Sequence, residues 1–215
     1  LSLYLSLQLT WGLYKLIALN VEYCGEDRLK YLLFTLVLLT ACSQSKTPEQ
    51  FVVEAQKHIA NGELNSAIIE LKNALLEAPR NERANLLLAE VYFAQKDYVS
   101  AESRARKVNI SSREFARAQA LIAKSLVYQG KYAEVEGIAT GGESSEYQAE
   151  ILAARGLAFL QKGQVEKAKM LIDSATSAAP GSAYTSLAQA RYLAGISNYE
   201  AAREFLSSFL ADNPD

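Results

Sequence analysis

One histidine, one tryptophan, one methionine, two cysteines and four prolines are spread over 215 residues. Each scarcity excludes something. With His58 as the sole histidine, no His/Cys metal cluster can be assembled, and no Ser-His-Asp order or paired-carboxylate motif stands out. Both cysteines, Cys24 and Cys42, lie near the N-terminus, so no disulfide framework staples the rest, and a Cys24–Cys42 bridge is disfavoured. Few prolines and long Ala/Leu/Glu/Lys-rich stretches favour helix, and no period-2 alternation follows residue 46, which argues against strands. The net charge is −2 with both signs interspersed, which leaves no basic stripe for nucleic acid and no acidic tail. Gly141 and Gly142 follow no strand and precede no Lys-Ser/Thr pair, so they read as a linker and not as a phosphate cradle.

Long apolar runs are scarce too. The only sizeable one, Tyr31 to Leu39, is too short for a bilayer, which takes about 20 apolar residues. Arg28 and Lys30 precede it, and Thr40, Ala41 and Cys42 follow. A positive flank, a short apolar core and small residues at a cut describe a secretory signal peptide. Residues 1–28 contain no Met and do not fit that pattern; we read them as a segment upstream of the true start, with 29–41 as the signal peptide and 42–47 as a tether.

What the chain does have is a rhythm. Gly62, Lys96, Gly130, Gly163 and Ser197 stand 34, 34, 33 and 34 residues apart. Each opens a short shared phrase (Gly62-Glu63-Leu64, Lys96-Asp97-Tyr98, Gly130-Lys131-Tyr132, Gly163-Gln164-Val165, Ser197-Asn198-Tyr199), and Ala67, Ala101, Ala168 and Ala202 recur at one offset beyond it. A period near 34 predicts a repeated helix–turn–helix unit that cannot bury its apolar face alone and stacks into a solenoid. Five units are expected, over 48–81, 82–115, 116–148, 149–182 and 183–215. Pro79, Pro180 and Pro214 close units, and Pro48 opens the first helix behind Thr47, with Gln50 completing a capping box. Ser111-Ser112-Arg113-Glu114 suggests the same device before the third unit. Ala55, Ala89, Ala123, Gly156 and Ala190 are the small residues at which first helices approach their neighbours. The third unit departs: Val135 replaces the recurring Ala, and Gly137, Gly141 and Gly142 predict a short second helix. Leu206, Phe209 and Leu210 are expected to leave the last helix with an exposed apolar face.

These phrases resemble the tetratricopeptide repeat, in which large residues sit early in helix A, a small residue sits at the helix crossing, Gly or Asp makes the turn, Ala sits in helix B and Pro closes the unit. The resemblance implies an all-α, right-handed superhelix whose concave face, lined by the A helices, holds protein partners. Mapped here, that face comprises Gln56, Arg83, Glu90, Phe93, Arg117, Lys124, Tyr128, Leu157, Tyr184 and Arg191. The Lys/Asn set with which some members clamp a C-terminal carboxylate is missing, with Val52 and Leu86 at lysine-type and Gln56 and Glu90 at asparagine-type positions. Leu39-Thr40-Ala41-Cys42 resembles the lipobox of bacterial lipoproteins. That implies lipid on Cys42 in place of any cofactor, attachment to the bacterial envelope facing the periplasm, and, with Ser43 next, sorting to the outer membrane. Ala67-Ile68-Ile69-Glu70-Leu71-Lys72-Asn73-Ala74-Leu75 and Ala153-Ala154-Arg155-Gly156 resemble the N-terminal part of repeat lipoproteins of exosortase/PEP-CTERM systems. The implied role is a non-enzymatic scaffold for envelope proteins in exopolysaccharide export and protein sorting, without nucleic-acid, metal or small-molecule chemistry. Two other roles remain open: an outer-membrane assembly or type IV pilus pilotin-type factor, and a regulatory subunit of an envelope enzyme.

Overall fold

The computed structural model describes residues 46–139 and 145–213. The expected signal peptide, Cys42 and the Gly141-Gly142 loop lie outside the described residues. Among the described residues there are ten helices and no strand. They are α1 (Pro48–Ala60), α2 (Leu64–Glu77), α3 (Glu82–Ala94), α4 (Tyr98–Ala105), α5 (Phe115–Tyr128), α6 (Tyr132–Val135), α7 (Ser145–Gln161), α8 (Val165–Ala178), α9 (Ala183–Gly195) and α10 (Tyr199–Asp212). None is long and apolar enough to cross a membrane. The odd-numbered helices are the A helices and the even-numbered ones the B helices. Each A helix packs on its own B helix and on the next A helix, and each B helix up to α8 also packs on the following A helix. The hairpins therefore stack in chain order.

One local motif makes every hairpin. Gly62, Lys96, Gly130, Gly163 and Ser197 have φ of 76°, 63°, 74°, 72° and 62°. At each, a left-handed residue ends helix A, its N–H bonds the carbonyl three back, and the next N–H bonds the carbonyl five back: Glu63 to His58, Asp97 to Tyr92, Lys131 to Leu126, Gln164 to Phe159 and Asn198 to Leu193, all at 2.8–3.0 Å. This is the Schellman closure, which satisfies carbonyls that a helix end would leave unpaired. Glycine takes the positive φ without strain, whereas Lys96 and Ser197 take it at a cost. B helices then start on side-chain caps in two units, where Asp97 and Asn198 accept from Ser100 N–H and Ala201 N–H.

The first helix opens on the expected capping box: Thr47 Oγ1 accepts from Gln50 N–H, and Gln50 Oε1 accepts from Thr47 N–H at 2.8 Å. The Ser111–Glu114 segment forms no such box. Glu114 is the N-cap of α5 and makes no side-chain cap bond, while Ser112 Oγ accepts from Glu114 N–H only two residues on. Serine is used here to close a tight turn, because Asn109 has already turned the chain by accepting from Ser111 N–H at 3.0 Å. Asn81, not anticipated, caps α3 through Ala84 N–H.

Two contiguous clusters make the core. One joins Val52, Ala55, Ala67, Leu71, Ala74, Leu88 and Val91, and the other runs from Leu86 and Ala89 through Ile122, Leu126, Ile151 and Leu157 to Ile172, Ala188 and Tyr192. Fully burying each Leu or Ile stabilises the fold by about 1.5–3 kcal/mol. The crossing residues are small because there is no room: a Cβ on Gly156 would meet Ile172 Cγ1 at 2.4 Å and the Ala168 carbonyl oxygen at 3.2 Å. Ala55, Ala89 and Ala123 are fully buried.

As expected, the second helix of the third unit is short, four residues in α6. α4 is short as well, at eight residues. Here polar bonds tie the units. Buried Glu102 accepts from Arg106 Nε at 2.8 Å, Gln129 Nε2 at 2.9 Å and Lys131 Nζ at 3.2 Å, which bonds α4 to the turn after α5. Burial of this carboxyl works toward a higher pKa, but the three donors outweigh it and hold the group below its ordinary value. Arg155 of α7 donates to the Ile138 carbonyl behind α6. The last helix shows the exposed apolar face only in part: Leu210 is 64% exposed, while Leu206 and Phe209 are half-buried against their own hairpin.

Candidate partner-binding groove

The A helices bring corresponding positions to one face, and a simple rule links them. A residue in the second half of one A helix meets a residue in the first turns of the next, 26 or 27 positions later. Arg83 Nη2 donates to Gln56 Oε1 at 3.0 Å. Arg117 clasps Glu90 with two bonds, Nε–Oε1 at 2.6 Å and Nη2–Oε2 at 2.8 Å. Lys124 Nζ donates to Glu150 Oε2 at 2.7 Å with the charge order reversed. Each rung spans consecutive repeats, so the ladder fixes their mutual rotation while partly neutralising the face it crosses. Arg117 and Glu90 are partly solvated, so that pair contributes about 0–1 kcal/mol. Lys124 and Glu150 are more enclosed, with side chains 18% and 11% exposed.

Between the rungs the face is indented. One slot of about 270 Å³ has an apolar floor of Ile59, Leu64, Leu87, Val91 and Ala94, with Gln56, Glu90 and Arg117 at its rim. A second, of about 210 Å³, shares Glu90 and Arg117 and adds Phe93, Leu121, Lys124, Tyr147 and Glu150. Burial pushes the Glu90 carboxyl above its ordinary value in spite of Arg117, and pushes the Tyr147 phenol up. Burial works against the charge on Arg117, yet Glu90 holds its pKa above the ordinary value.

An aromatic group adjoins the second slot. Phe93 meets Tyr98 and Tyr128 edge-on at 5.3 and 5.7 Å, and Tyr98 stacks on Tyr128 at 4.7 Å. Lys124 lies 5.9 Å from the Phe93 ring centre and 5.4 Å from that of Tyr184, and the Arg191 guanidinium lies 6.0 Å from Tyr128. Cations over ring faces and rings in edge contact hold this part of the groove rigid. Aromatic and arginine side chains that lose little freedom on contact are the kind that dominate protein interfaces.

Eight of the ten sequence-derived positions are thus solvent-facing in whole or part: Gln56, Arg83, Glu90, Phe93, Arg117, Lys124, Tyr128 and Arg191. Two are corrected. Leu157 is 1% exposed and Tyr184 9%, because the α7–α9 crossing closes over them where earlier crossings carry polar rungs. The Tyr184 hydroxyl is buried without a hydrogen-bond partner among the described residues, and burial raises its pKa. Both residues are enclosed and line neither slot. Glu150, Tyr147 and Leu121 line the groove without having been anticipated; for Glu150 the 26-residue spacing from Lys124 was the available signal. Val52 and Leu86, at the lysine-type positions of the carboxylate clamp, are buried at 3% and 2%. His58 is half-buried at the first turn, with Nδ1 2.5 Å from Glu63 Oε2.

The tetratricopeptide-repeat sequence model matches residues 58–125. No curated protein matches the chain. Among solved structures, that of pilF from Pseudomonas aeruginosa is similar with a TM-score of 0.59 at 19% identity, over 78% of this chain and 77% of that one. MamA from Desulfovibrio magneticus RS-1 is similar with a TM-score of 0.57 at 14% identity, over 80% of this chain and 100% of that one. YrrB, described as a tetratricopeptide-repeat protein with an unusual peptide-binding site, gives 0.52 at 18% identity, over 77% and 86%. At such identities the likeness concerns architecture: an all-α, right-handed tetratricopeptide superhelix of about five hairpins.

Proposed function

We propose that this chain is a non-catalytic scaffold that holds a protein partner along the inner face of its A helices, tethered to a bacterial envelope membrane by lipid on Cys42. The observation that carries the first half is the pair of adjoining slots that share Glu90 and Arg117, with apolar floors sized for side chains and charged rims already neutralised by their own rungs. Such a surface accepts an extended segment that inserts apolar side chains, and it does not demand one fixed charge pattern. The peptide-binding site ascribed to YrrB, a protein of the same architecture, lends support. The second half rests on residues 28–43: a positive flank, an apolar core and Leu39-Thr40-Ala41-Cys42. Lipoproteins carry two or three chains, and two suffice for stable anchoring where one myristoyl chain does not. Ser43 after the cysteine favours the outer membrane.

The repeat phrases from Ala67 to Leu75 and from Ala153 to Gly156 point to exopolysaccharide export and exosortase-linked sorting as the setting, with envelope proteins as partners. An assembly role for outer-membrane or pilus proteins and a regulatory role for an envelope enzyme use the same groove, and the identity of the bound protein separates them. A photoreactive residue at Phe93 or Tyr128, in cells, is expected to yield a specific adduct, with none from Met170, which is 67% exposed on α8. Adducts from Met170 alone would reject the groove. Cys42→Ser is expected to abolish incorporation of labelled palmitate.

A further inference from the structure

A stack of antiparallel hairpins has two edges. One carries the A-to-B turns; on the other, every A helix begins and every B helix ends. The chain enters on this second edge. Lys46, just before the Thr47 cap of α1, has its Nζ 3.6 Å from Glu70 Oε2 on α2. The corner after α4 lies there too, since Asn109 N–H donates at 3.2 Å to Glu82 Oε1 at the start of α3.

Leu76 and Ile110, on this edge, are the most exposed large apolar side chains among the described residues, at 77% and 76%. Nine residues, about two and a half turns, separate Leu76 from fully buried Ala67, so it points out of the core. Arg80 follows Leu76 by four residues, and Lys107 and Arg113 flank Ile110. All three cations are exposed and form no ion pair among the described residues; Glu49 and Glu77 are the exposed acids of the same stretch. The corner between α8 and α9, Pro180-Gly181, has neither a cation nor an exposed large apolar side chain. Stacking buries helix faces and leaves corners free, so the exposure of Leu76 and Ile110 does not depend on what adjoins the first or the last unit.

We propose that the corners of the first two units rest on a phospholipid surface, with Leu76 and Ile110 entering the headgroup layer and Arg80, Lys107 and Arg113 set against lipid phosphates. The proposal rests on the reading of Cys42 as the lipid-bearing residue. The four residues from Cys42 to Lys46 span at most about 14 Å, so a lipid there brings the bilayer to the edge at which Lys46 sits. α1, at 13 residues, is about 20 Å long, which keeps the turn edge beyond that reach. Apolar side chains at headgroup depth and cations facing phosphate are the two attractions of interfacial binding. Lipid is favoured over a protein as the occupant because the tether holds the bilayer beside this edge at all times. The helix axes then stand away from the bilayer, and the groove opens sideways, clear of the headgroups.

The test uses the lipidated full chain with Cys24→Ser, purified from bacterial membranes and reconstituted in vesicles of phosphatidylethanolamine and phosphatidylglycerol. Leu76→Cys or Ile110→Cys carries an environment-sensitive fluorophore, and control labels sit at Gln164→Cys on the turn edge and at Met170→Cys on α8. Probes at 76 and 110 are expected to be quenched by doxyl-labelled lipid at least threefold more than those at 164 and 170. Lys107→Glu with Arg113→Glu, both at exposed and unpaired positions, is expected to leave the circular dichroism unchanged and to reduce quenching at 76 at least twofold. Equal quenching at all four sites, no quenching at 76 and 110, or quenching at 76 indifferent to the charge reversals, in a chain that has incorporated labelled palmitate, would overturn the contact and leave the anchor standing. A chain that incorporates no palmitate would overturn both.

Discussion

Adding a single methyl group at position 156 sets two opposing effects against each other. Gly156 sits inside α7, where Gly→Ala gains about 0.8–1.0 kcal/mol of helix propensity. The new Cβ would stand 2.4 Å from Ile172 Cγ1, 3.1 Å from its Cδ1 and 3.2 Å from the Ala168 carbonyl oxygen. Carbon atoms prefer about 3.5–4.0 Å, so the first contact is short by more than an ångström. Ile172 has no exposed surface into which to move, and retreat of α8 is opposed by its packing on α9. Overpacking of this kind costs about 1–3 kcal/mol, which exceeds the propensity gain over most of its range. Gly156→Ala is therefore expected to destabilise the chain by about 1 kcal/mol net, or roughly 2–4 °C in Tm for a chain of this size. The sharper readout is the cycle with Ile172→Ala. Alone, that truncation leaves a cavity and costs about 2–5 kcal/mol. With Ala at 156 the methyl occupies part of the space, so the double variant should be more stable than the sum of singles by about 1 kcal/mol or more. Urea unfolding followed by circular dichroism measures all four corners. Additive costs, or a Gly156→Ala chain more stable than the original, would refute the close α7–α8 crossing.

The other expectations follow from the turns, the ties and the crossings. Lys96→Gly and Ser197→Gly relieve a left-handed φ and should stabilise by up to about 1 kcal/mol, whereas Gly130→Ala, whose Cβ meets nothing within 4 Å, should lose about 1 kcal/mol through φ alone; thermal melts compare them. Glu102 has a folded pKa below its unfolded one, so its stabilisation is present above the ordinary carboxylate range and is lost as pH falls through the lowered value. Unfolding of Glu102→Gln should accordingly depend less on pH at the acid end. Glu90 has the opposite sign: its raised pKa means a contribution present at low pH and lost as pH rises through the folded value, and Glu90→Gln should remove that loss in the same titration. Ala89→Leu, at a fully buried crossing, should lower Tm, and an unchanged Tm would contradict the register of the repeats.

The hairpin turns were legible because one backbone requirement governs all five: a left-handed residue at a fixed distance from the next, for which glycine is the cheapest solution and Lys96 and Ser197 are tolerated substitutes. The small crossing residues were legible for a similar reason, since only Ala or Gly fits where two helix axes approach. The rungs were not read. Their partners lie on different helices, and whether Glu90 faces Arg117 depends on the rotation of two A helices, which no local pattern encodes. Leu157 and Tyr184 occupy groove positions by number but are closed over because that crossing lacks a polar rung. The missing Ser111–Glu114 cap shows another limit. The motif was present, but Asn109 and Ser112 spent the local donors on turning the chain.

Chain-order stacking of the A helices underlies the groove, and short-range crosslinking addresses it most directly. In a chain with Cys24 and Cys42 replaced by Ser, cysteine pairs are placed at 56 and 83, at 90 and 117, and at 124 and 150, then treated with a short bismaleimide. Efficient intramolecular linkage is expected for these three pairs and little for 56 with 150 or 83 with 150, which lie on A helices that do not touch. Equal linkage of the mismatched pairs would contradict the single-file stack.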